Sequence, residues 1–241
     1  MRNLVIGDIH GGYKALIQVV EKARIQLTDK LIFLGDYVDG WSESVEVLDF
    51  LIALNNKIDC VFLRGNHDEL LLHWLQTKHD NLMWLDHGGY STVNAYEKVS
   101  LSVKEKHIAF LLNLKNYHLD EQGRLFVHAG FTNMKGVTHE HYPRFLYWDR
   151  TLWETVLGLD PNLATDSVVY PKRLKNYSEI YIGHTSVTQV GETTPMNRAN
   201  VWNLDTGAAY HGRLTIMDID TKQFWQSEPL FELYPDEKGR N

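Results

Sequence analysis

Five short stretches of the chain combine glycine or a small residue with Asp, Asn or His, the residue types that bind metal ions or move protons. Each stretch follows an apolar run, and each alone is most often an ordinary turn or a solvated loop. Together they indicate a shared site, because five apolar runs each end in a potential metal ligand. The five are Gly7-Asp8-Ile9-His10-Gly11, Gly35-Asp36-Tyr37-Val38-Asp39-Gly40, Gly65-Asn66-His67-Asp68, Val127-His128-Ala129-Gly130 and Gly183-His184-Thr185.

Carboxylate, imidazole and amide oxygen form a ligand set of intermediate hardness. Such a set suits Mn²⁺, Fe or Zn²⁺, and Mn²⁺ is the ion we expect. Six or seven groups of this kind over-supply one ion, whereas two ions that share a carboxylate fit the number. Two divalent ions about 3.5–4 Å apart can clamp phosphate oxygens and activate a water between them. The sequence therefore predicts a dinuclear centre that hydrolyses a phosphate ester.

Strands and helices alternate in the first part of the chain. Residues 4–6, 31–34 and 60–63 are short continuous apolar runs, which predict buried strands. Apolar residues at helical spacing predict a helix over residues 14–27, and Ser42 is a candidate N-cap for a second helix. This alternation is typical of βαβ units in a largely parallel sheet.

Ligands bind at the carboxyl ends of the strands in such sheets, and the glycine-containing turns fall at those ends. Apolar runs at residues 125–127 and 180–182 predict two later strands that lead directly into His128 and His184. Three consecutive runs beyond residue 200 predict a second, more antiparallel sheet. The predicted fold class is α/β, with a single domain over residues 1–241.

The composition is that of an ordinary folded protein, with 44% hydrophobic and 23% charged residues. A formal net charge of -7 argues against polymeric nucleic acid and membranes as partners, because both attract basic patches. Cys60 is the only cysteine, so no intramolecular disulfide can form and a cytoplasmic location is predicted. No apolar run has the length of a signal peptide or a membrane span.

The order and spacing of the motifs resemble one family. Asp-x-His-Gly, Gly-Asp-x-Val-Asp, Gly-Asn-His-Asp and two later histidines are similar to the calcineurin-like metallophosphoesterase superfamily. Within it, the likeness is to the phosphoprotein phosphatase (PPP) family and its short bacterial and phage members, and it spans about residues 4–207. It implies a sandwich of two mixed β-sheets flanked by helices, with a dinuclear metal site at the carboxyl ends of the strands.

The resemblance implies a metal ligand at each of six positions. The implied ligands are Asp8 and His10 for the first metal, Asp36 as the bridge, and Asn66, His128 and His184 for the second.

The resemblance also implies two catalytic residues. His67 would protonate the leaving oxygen, and Asp39 would pair with His67. This assignment is chemically reasonable, because an imidazolium is a good proton donor near neutral pH and a carboxylate on its other nitrogen fixes the tautomer. The nucleophile would be a hydroxide that bridges the two metals.

One departure from the family pattern concerns the phosphate. The pattern continues Asp-Arg-Gly, whereas this chain has Asp39-Gly40-Trp41, so an expected phosphate-binding arginine is absent. Arg150 resembles a later phosphate-binding arginine of the short bacterial members. Arg64 also adjoins the site, although a structural ion pair is the more ordinary role for it. Trp41 would either stack on an aromatic leaving group or pack at the start of a helix.

The main functional hypothesis is a phosphatase that acts on phosphorylated Ser, Thr or Tyr residues of proteins or on a small phosphate ester. An alternative is a dinucleoside polyphosphate hydrolase of the diadenosine tetraphosphatase type, since Gly-His-Thr and Asp-Thr-Gly-Ala also resemble the symmetric diadenosine tetraphosphatases of the same superfamily. A third hypothesis, a non-catalytic binding module, is less favoured because no implied ligand is missing.

Overall fold

The computed structural model describes residues 1–240, which form two five-stranded β-sheets with helices around them. The strands of the first sheet are β1 (Asn3–Ile6), β2 (Lys30–Phe33), β3 (Asp59–Phe62), β9 (Thr215–Asp218) and β10 (Phe224–Gln226). They lie in the order β10-β9-β1-β2-β3. Strands β1, β2 and β3 are parallel, as the alternation of strands and helices predicts, and β9 and β10 add antiparallel neighbours.

The second sheet is also mixed. Its strands are β4 (Tyr117–Leu119), β5 (Leu125–Val127), β6 (Ile180–Ile182), β7 (Met196–Arg198) and β8 (Val201–Asn203). They lie in the order β4-β5-β6-β8-β7, with β5, β6 and β8 parallel and the two edge strands antiparallel. The predicted two-sheet sandwich is therefore confirmed.

The prediction that the last strands form the second sheet is wrong. Only β8 belongs to that sheet, whereas β9 pairs with β1 so that Met217 lies opposite Val5. An apolar run signals a strand but does not identify its partner, because that choice depends on which faces are buried together. Met217 is fully buried between the two sheets, where it contacts the same apolar cluster as Val5.

Helices cover the sheets and connect the strands. They are α1 (Tyr13–Lys22), α2 (Ser44–Asn55), α3 (Asn66–Thr77), α4 (Leu82–Trp84), α5 (Tyr90–Tyr96), α6 (Leu101–Leu112), α7 (Phe145–Trp148), α8 (Thr151–Leu157) and α9 (Leu230–Leu233). A kinked segment, Leu85–Gly89, joins α4 to α5, and short 3₁₀ turns occur at Val137–His139, Lys172–Asn176 and Val187–Val190.

Two helix boundaries differ from the prediction. Helix α1 ends before residue 27, because Arg24 adopts a φ of 48° and Arg2 donates to the carbonyls of Ala23 and Arg24. Helix α2 begins at Ser44, since the side chain of Ser42 donates to Glu237 instead of capping the helix. Both differences arise from partners distant in sequence.

The core follows the alternation of side chains along the strands. Outward-facing residues of the first sheet, such as Leu4 and Phe33, pack under the helices, whereas Val5 and Ile32 point toward the second sheet. There they meet Phe126 and other residues of the second sheet in one apolar layer. This shared layer fixes the two sheets' strand ends relative to each other. The extent of the domain, residues 1–241, stays a prediction.

Candidate metal centre and active site

The six residues predicted as metal ligands lie together in one cleft, where strands of both sheets end. Each follows the strand that the sequence predicted, and five are buried while His184 is half-buried. The strand before each residue is β1 for Asp8 and His10, β2 for Asp36, β3 for Asn66, β5 for His128 and β6 for His184.

Asp36 lies at the centre of the group. Its Oδ2 atom is 3.6 Å from Nε2 of His10 on one side and 3.4 Å from Nε2 of His128 on the other. Asp8 Oδ2 lies 3.9 Å from the same nitrogen of His10. A single carboxylate oxygen between two imidazoles is the arrangement that a bridging ligand needs.

Asn66 lies next to two further histidines of the cluster. Its Oδ1 atom lies 3.3 Å from Nε2 of His128 and 2.9 Å from Nδ1 of His184. Ligand atoms of Asp36, His128 and His184 all lie within 4.8 Å of one another. The cleft thus contains two adjacent groups of candidate metal ligands that share Asp36.

Two histidines are held with Nε2 directed into this cluster. Nδ1 of His10 lies 3.2 Å from the carbonyl oxygen of Val38, and Nδ1 of His128 lies 2.9 Å from that of Leu34. A carbonyl only accepts, so each Nδ1 is the protonated donor and a neutral ring presents an unprotonated Nε2. Such lone pairs face carboxylate and amide oxygens, and a cation between them satisfies both sides.

Unpaired atoms and crowded negative charge also fit divalent ions. Within residues 1–240, Oδ1 of Asp8 and Nε2 of His184 are buried without a hydrogen-bond partner. Burial raises the pKa of Asp8 well above its ordinary value, and the carboxylate of Asp205 raises it further. Burial lowers the pKa of His128, but Asp36 outweighs burial and raises that pKa to about 9. The histidines thus offset only part of the negative charge of the buried carboxylates, as expected of a site that binds cations.

Two of the turns require glycine, because a carboxylate of the cluster lies directly against the backbone there. A Cβ atom on Gly65 would lie 2.1 Å from Oδ1 of Asp36, and one on Gly183 would lie 2.0 Å from Oδ1 of Asp8. Both distances are shorter than any van der Waals contact. Alanine at either position would therefore displace a carboxylate from the cluster.

His67 and Asp39 form a hydrogen-bonded pair beside the cluster. Nδ1 of His67 lies 2.6 Å from Oδ2 of Asp39. The same carboxylate accepts from Nε1 of Trp84 at 2.5 Å and from Oγ1 of Thr92 at 2.6 Å. His67 also has a nitrogen within 4.8 Å of ligand atoms of His10 and Asp36. With Nδ1 taken by Asp39, its Nε2 is the atom free to meet a substrate or an ion.

The sequence did not single out Trp84 and Thr92. Both lie between α3 and α6, in a stretch without a clear hydrophobic period, so no sequence signal connected them to Asp39. Asp68 was also missed, although it accepts from the backbone nitrogens of Asp36, Tyr37 and Gly65 at 2.8–2.9 Å. Burial raises the pKa of Asp68 to about 7, and Asp36 contributes to this rise. An acidic residue in the first turn of α3 was the available signal for Asp68.

A cavity of about 270 Å³ opens beside the metal-ligand cluster. It is lined by Asn66, His67, Leu70, Asn81, Met83, Trp84, His87, Trp148, Arg150 and Arg240. The exposed Arg150 donates to Oγ1 of Thr185 at 3.1 Å. Arg64 is not part of this lining, and its guanidinium donates to the carbonyl of Leu111 at 3.2 Å. The structure thus directs Arg150, but not Arg64, toward the space beside the candidate acid.

Trp41 does not face this cavity. Its side chain is fully buried, stacks on Tyr234 at 5.1 Å between ring centroids, and donates from Nε1 to the carbonyl of Ala208 at 2.7 Å. Of the two predicted roles, packing is confirmed and stacking on a leaving group is wrong.

The two-sheet sandwich and the ligand cluster at its strand ends define a class of protein: a metal-dependent hydrolase of phosphate esters. The model of the family described as calcineurin-like phosphoesterase matches residues 1–201. The chain belongs to the calcineurin-like phosphoesterase family. The hypothesis of a non-catalytic module is set aside, because the family is enzymatic and the candidate ligands and acid are all present in one cleft.

The curated relatives have two different activities in their names. The chain is 24% identical over 223 residues to serine/threonine-protein phosphatase 1 of Salmonella typhimurium, covering 89% of this chain and 90% of that protein. It is 25% identical over 228 residues to an asymmetrical bis(5'-nucleosyl)-tetraphosphatase of Anoxybacillus flavithermus, covering 88% of each.

Solved structures agree on the fold. A cold-active protein-tyrosine phosphatase from a Shewanella species superposes with a TM-score of 0.61 at 14% identity, covering 94% of this chain and 80% of that one. A serine/threonine phosphatase from Saccharomyces cerevisiae gives 0.60 at 15% identity, with 95% and 80% covered. Across residues 1–240, no helix combines the length and apolar character that a membrane crossing requires.

Proposed function

We propose that this enzyme is a phosphomonoesterase that removes phosphate from Ser, Thr or Tyr residues of proteins, with two divalent metal ions in its active site. The hydrogen bond between His67 and Asp39 carries this proposal, because it lies beside the shared ligand Asp36 and opens on the cavity. A pair of this kind suits the departure of a poor leaving group, such as the alkoxide of serine.

Each ligand group would hold one ion. Asp8, His10 and Asp36 would hold the first, and the same Asp36 would join the second group. The second group comprises Asn66, His128 and His184. Two bound divalent ions supply an activated water and stabilise negative charge on phosphate oxygens. We propose Mn²⁺ as the ion, with Fe and Zn²⁺ as alternatives, because the set mixes carboxylate, amide and imidazole donors.

The protein's own residues would complete the reaction. Nε2 of His67 donates a proton to the leaving oxygen, while Asp39 holds the ring through Nδ1 and stabilises its charge. Trp84 and Thr92 fix the Asp39 carboxylate, so the orientation of the acid does not depend on the substrate. Arg150 supplies a guanidinium on the cavity wall for phosphate oxygens.

A dinucleoside polyphosphate hydrolase remains the second candidate. One observation favours it, namely that Met83 and the half-buried Trp148 line the same cavity as Arg150 and offer apolar surface for a nucleobase. The name of the Anoxybacillus relative points in the same direction. For either substrate we propose a cytoplasmic location, since Cys60 is the only cysteine and no intramolecular disulfide can form.

A substrate panel tests the proposal. We expect kcat/KM on phosphoserine, phosphothreonine or phosphotyrosine peptides to exceed that on diadenosine tetraphosphate by about tenfold or more with Mn²⁺ present. Phosphate release measured side by side, with chelated protein as the control, gives the ratio. The opposite ratio would assign the enzyme to dinucleoside polyphosphates, and no turnover of either class would reject both candidates.

A further inference from the structure

Arg240 enters the cavity from a segment far from every strand-end motif. The stem of its side chain passes between two glycines: a Cβ atom would lie 3.3 Å from Arg240 Cγ if placed on Gly40 and 2.9 Å if placed on Gly88. Both glycines have φ near 100°, a conformation that strains any other residue. The two glycines, joined by a hydrogen bond of 3.1 Å from Gly40 N to Gly88 O, therefore form a slot for this stem.

The segment that carries Arg240, residues 234–240, is fastened to the turn that contains Gly40. Tyr234 stacks on Trp41, and Glu237 accepts from the backbone and side chain of Ser42 at 2.9 and 2.7 Å. The backbone nitrogen of Arg240 donates to the carbonyl of Ala209 at 2.9 Å. Gly40 and Trp41, the two departures from the Asp-Arg-Gly pattern, thus have related roles: Trp41 supports the segment and Gly40 leaves space for its arginine.

The guanidinium of Arg240 is placed to receive an anion. It lines the same cavity as His67 and Arg150. Its Cζ atom lies 5.5 Å from the centroid of the Tyr210 ring, so the guanidinium packs over an aromatic face. Among residues 1–240 its buried Nε has no hydrogen-bond partner. A buried N–H of a cation without a partner is unfavourable unless a ligand provides one.

We propose that Arg240 binds an oxygen of the substrate's phosphoryl group and acts with Arg150 as a pair of phosphate-binding arginines. The inference rests on the proposed phosphoesterase site and adds a residue to it. In this chain a residue about 200 positions later in the sequence takes the place of an arginine at position 40. The planar guanidinium suits this task, because its N–H groups match the geometry of phosphate oxygens.

The test compares Arg240→Ala with wild type on p-nitrophenyl phosphate in saturating Mn²⁺. We expect kcat/KM to fall about ten- to a hundredfold, the range of one charge-assisted contact, and the inhibition constant of inorganic phosphate to rise by a similar factor. Arg150→Ala should have an effect of the same order, and Arg240→Lys should recover part of the loss. Arg198→Ala, which removes an exposed arginine from β7, should behave as wild type.

Binding of inorganic phosphate to the Mn²⁺-loaded protein, measured by calorimetry, separates this inference from the proposed function. Wild type that binds phosphate more tightly than Arg240→Ala supports a role for Arg240 even if no tested ester is hydrolysed. If folded, metal-loaded Arg240→Ala bound phosphate as tightly as Arg240→Lys and wild type, the proposal would be overturned. A loss of kcat/KM that is accompanied by a loss of metal would also overturn it, since Arg240 would then support the ligand turn only.

Discussion

Asp36→Asn is expected to weaken the binding of both metal ions and to lower kcat by about 10³-fold or more. The reason is the position of Asp36, since one of its carboxylate oxygens lies within 3.6 Å of a histidine in each ligand group. Asparagine keeps the shape but removes the negative charge that two cations share. Each ion contributes several kcal/mol to transition-state stabilisation, and every 1.36 kcal/mol is a factor of ten in rate. Metal analysis after gel filtration and turnover of p-nitrophenyl phosphate measure the two effects.

Asp8→Asn is the matched control for that variant. Asp8 belongs to one ligand group only, so this change should weaken the binding of one ion and leave the other ion bound. Thermal unfolding of metal-free wild type and variants shows whether the fold is retained. Two fully occupied ions together with near-normal turnover in Asp36→Asn would refute the assignment of Asp36 as the bridge.

His67→Asn is expected to keep both metals and the fold while losing about 10²–10⁴-fold in kcat on phosphoserine. The loss on p-nitrophenyl phosphate should be distinctly smaller. An alkoxide leaves slowly without a proton, whereas nitrophenolate is stable enough to leave unaided. The comparison therefore measures proton donation by His67 and not binding, provided that chemistry limits the rate.

Asp39→Asn provides the matched control for the acid. Asparagine keeps one acceptor oxygen, so it can accept from Trp84 or from Thr92 but not from both, and it no longer offers a carboxylate to Nδ1 of His67. We expect the same dependence on the leaving group, with a smaller loss. Equal losses on both substrates in His67→Asn would exclude proton donation. Disappearance of one metal from that variant would identify His67 as a ligand, which its distance from His10 and Asp36 permits.

The grouping of the six candidate metal ligands was predictable, because the pattern that reveals each of them is local in the sequence. Each ligand directly follows a short apolar run, and the carboxyl ends of parallel strands meet at one edge of a sheet. Asp8, Asp36 and Asn66 therefore had to lie near one another once β1, β2 and β3 were recognised as parallel. That His128 and His184 join them from the other sheet followed from the family resemblance, since no spacing rule fixes how two sheets pack.

The remaining features depend on contacts between distant parts of the chain. Trp84 and Thr92 reach Asp39 from a stretch of short helices joined by a kink, in which the apolar residues have no clear period. The pairing of β9 with β1, and the position of Arg240 beside Gly40, each join residues about 200 apart. Sequence patterns predict which residues are apolar or charged. They do not predict which of several possible partners a buried face or a cation will meet.

The most direct test of the central claim is the number of metal ions that activity requires. Protein stripped with a chelator and verified as metal-free should be inactive on p-nitrophenyl phosphate. Titration with Mn²⁺ should restore activity and reach saturation at about two ions per chain, since two ligand groups share Asp36. Full activity of the verified metal-free protein, or saturation of both binding and activity at a single ion, would contradict a two-metal phosphoesterase.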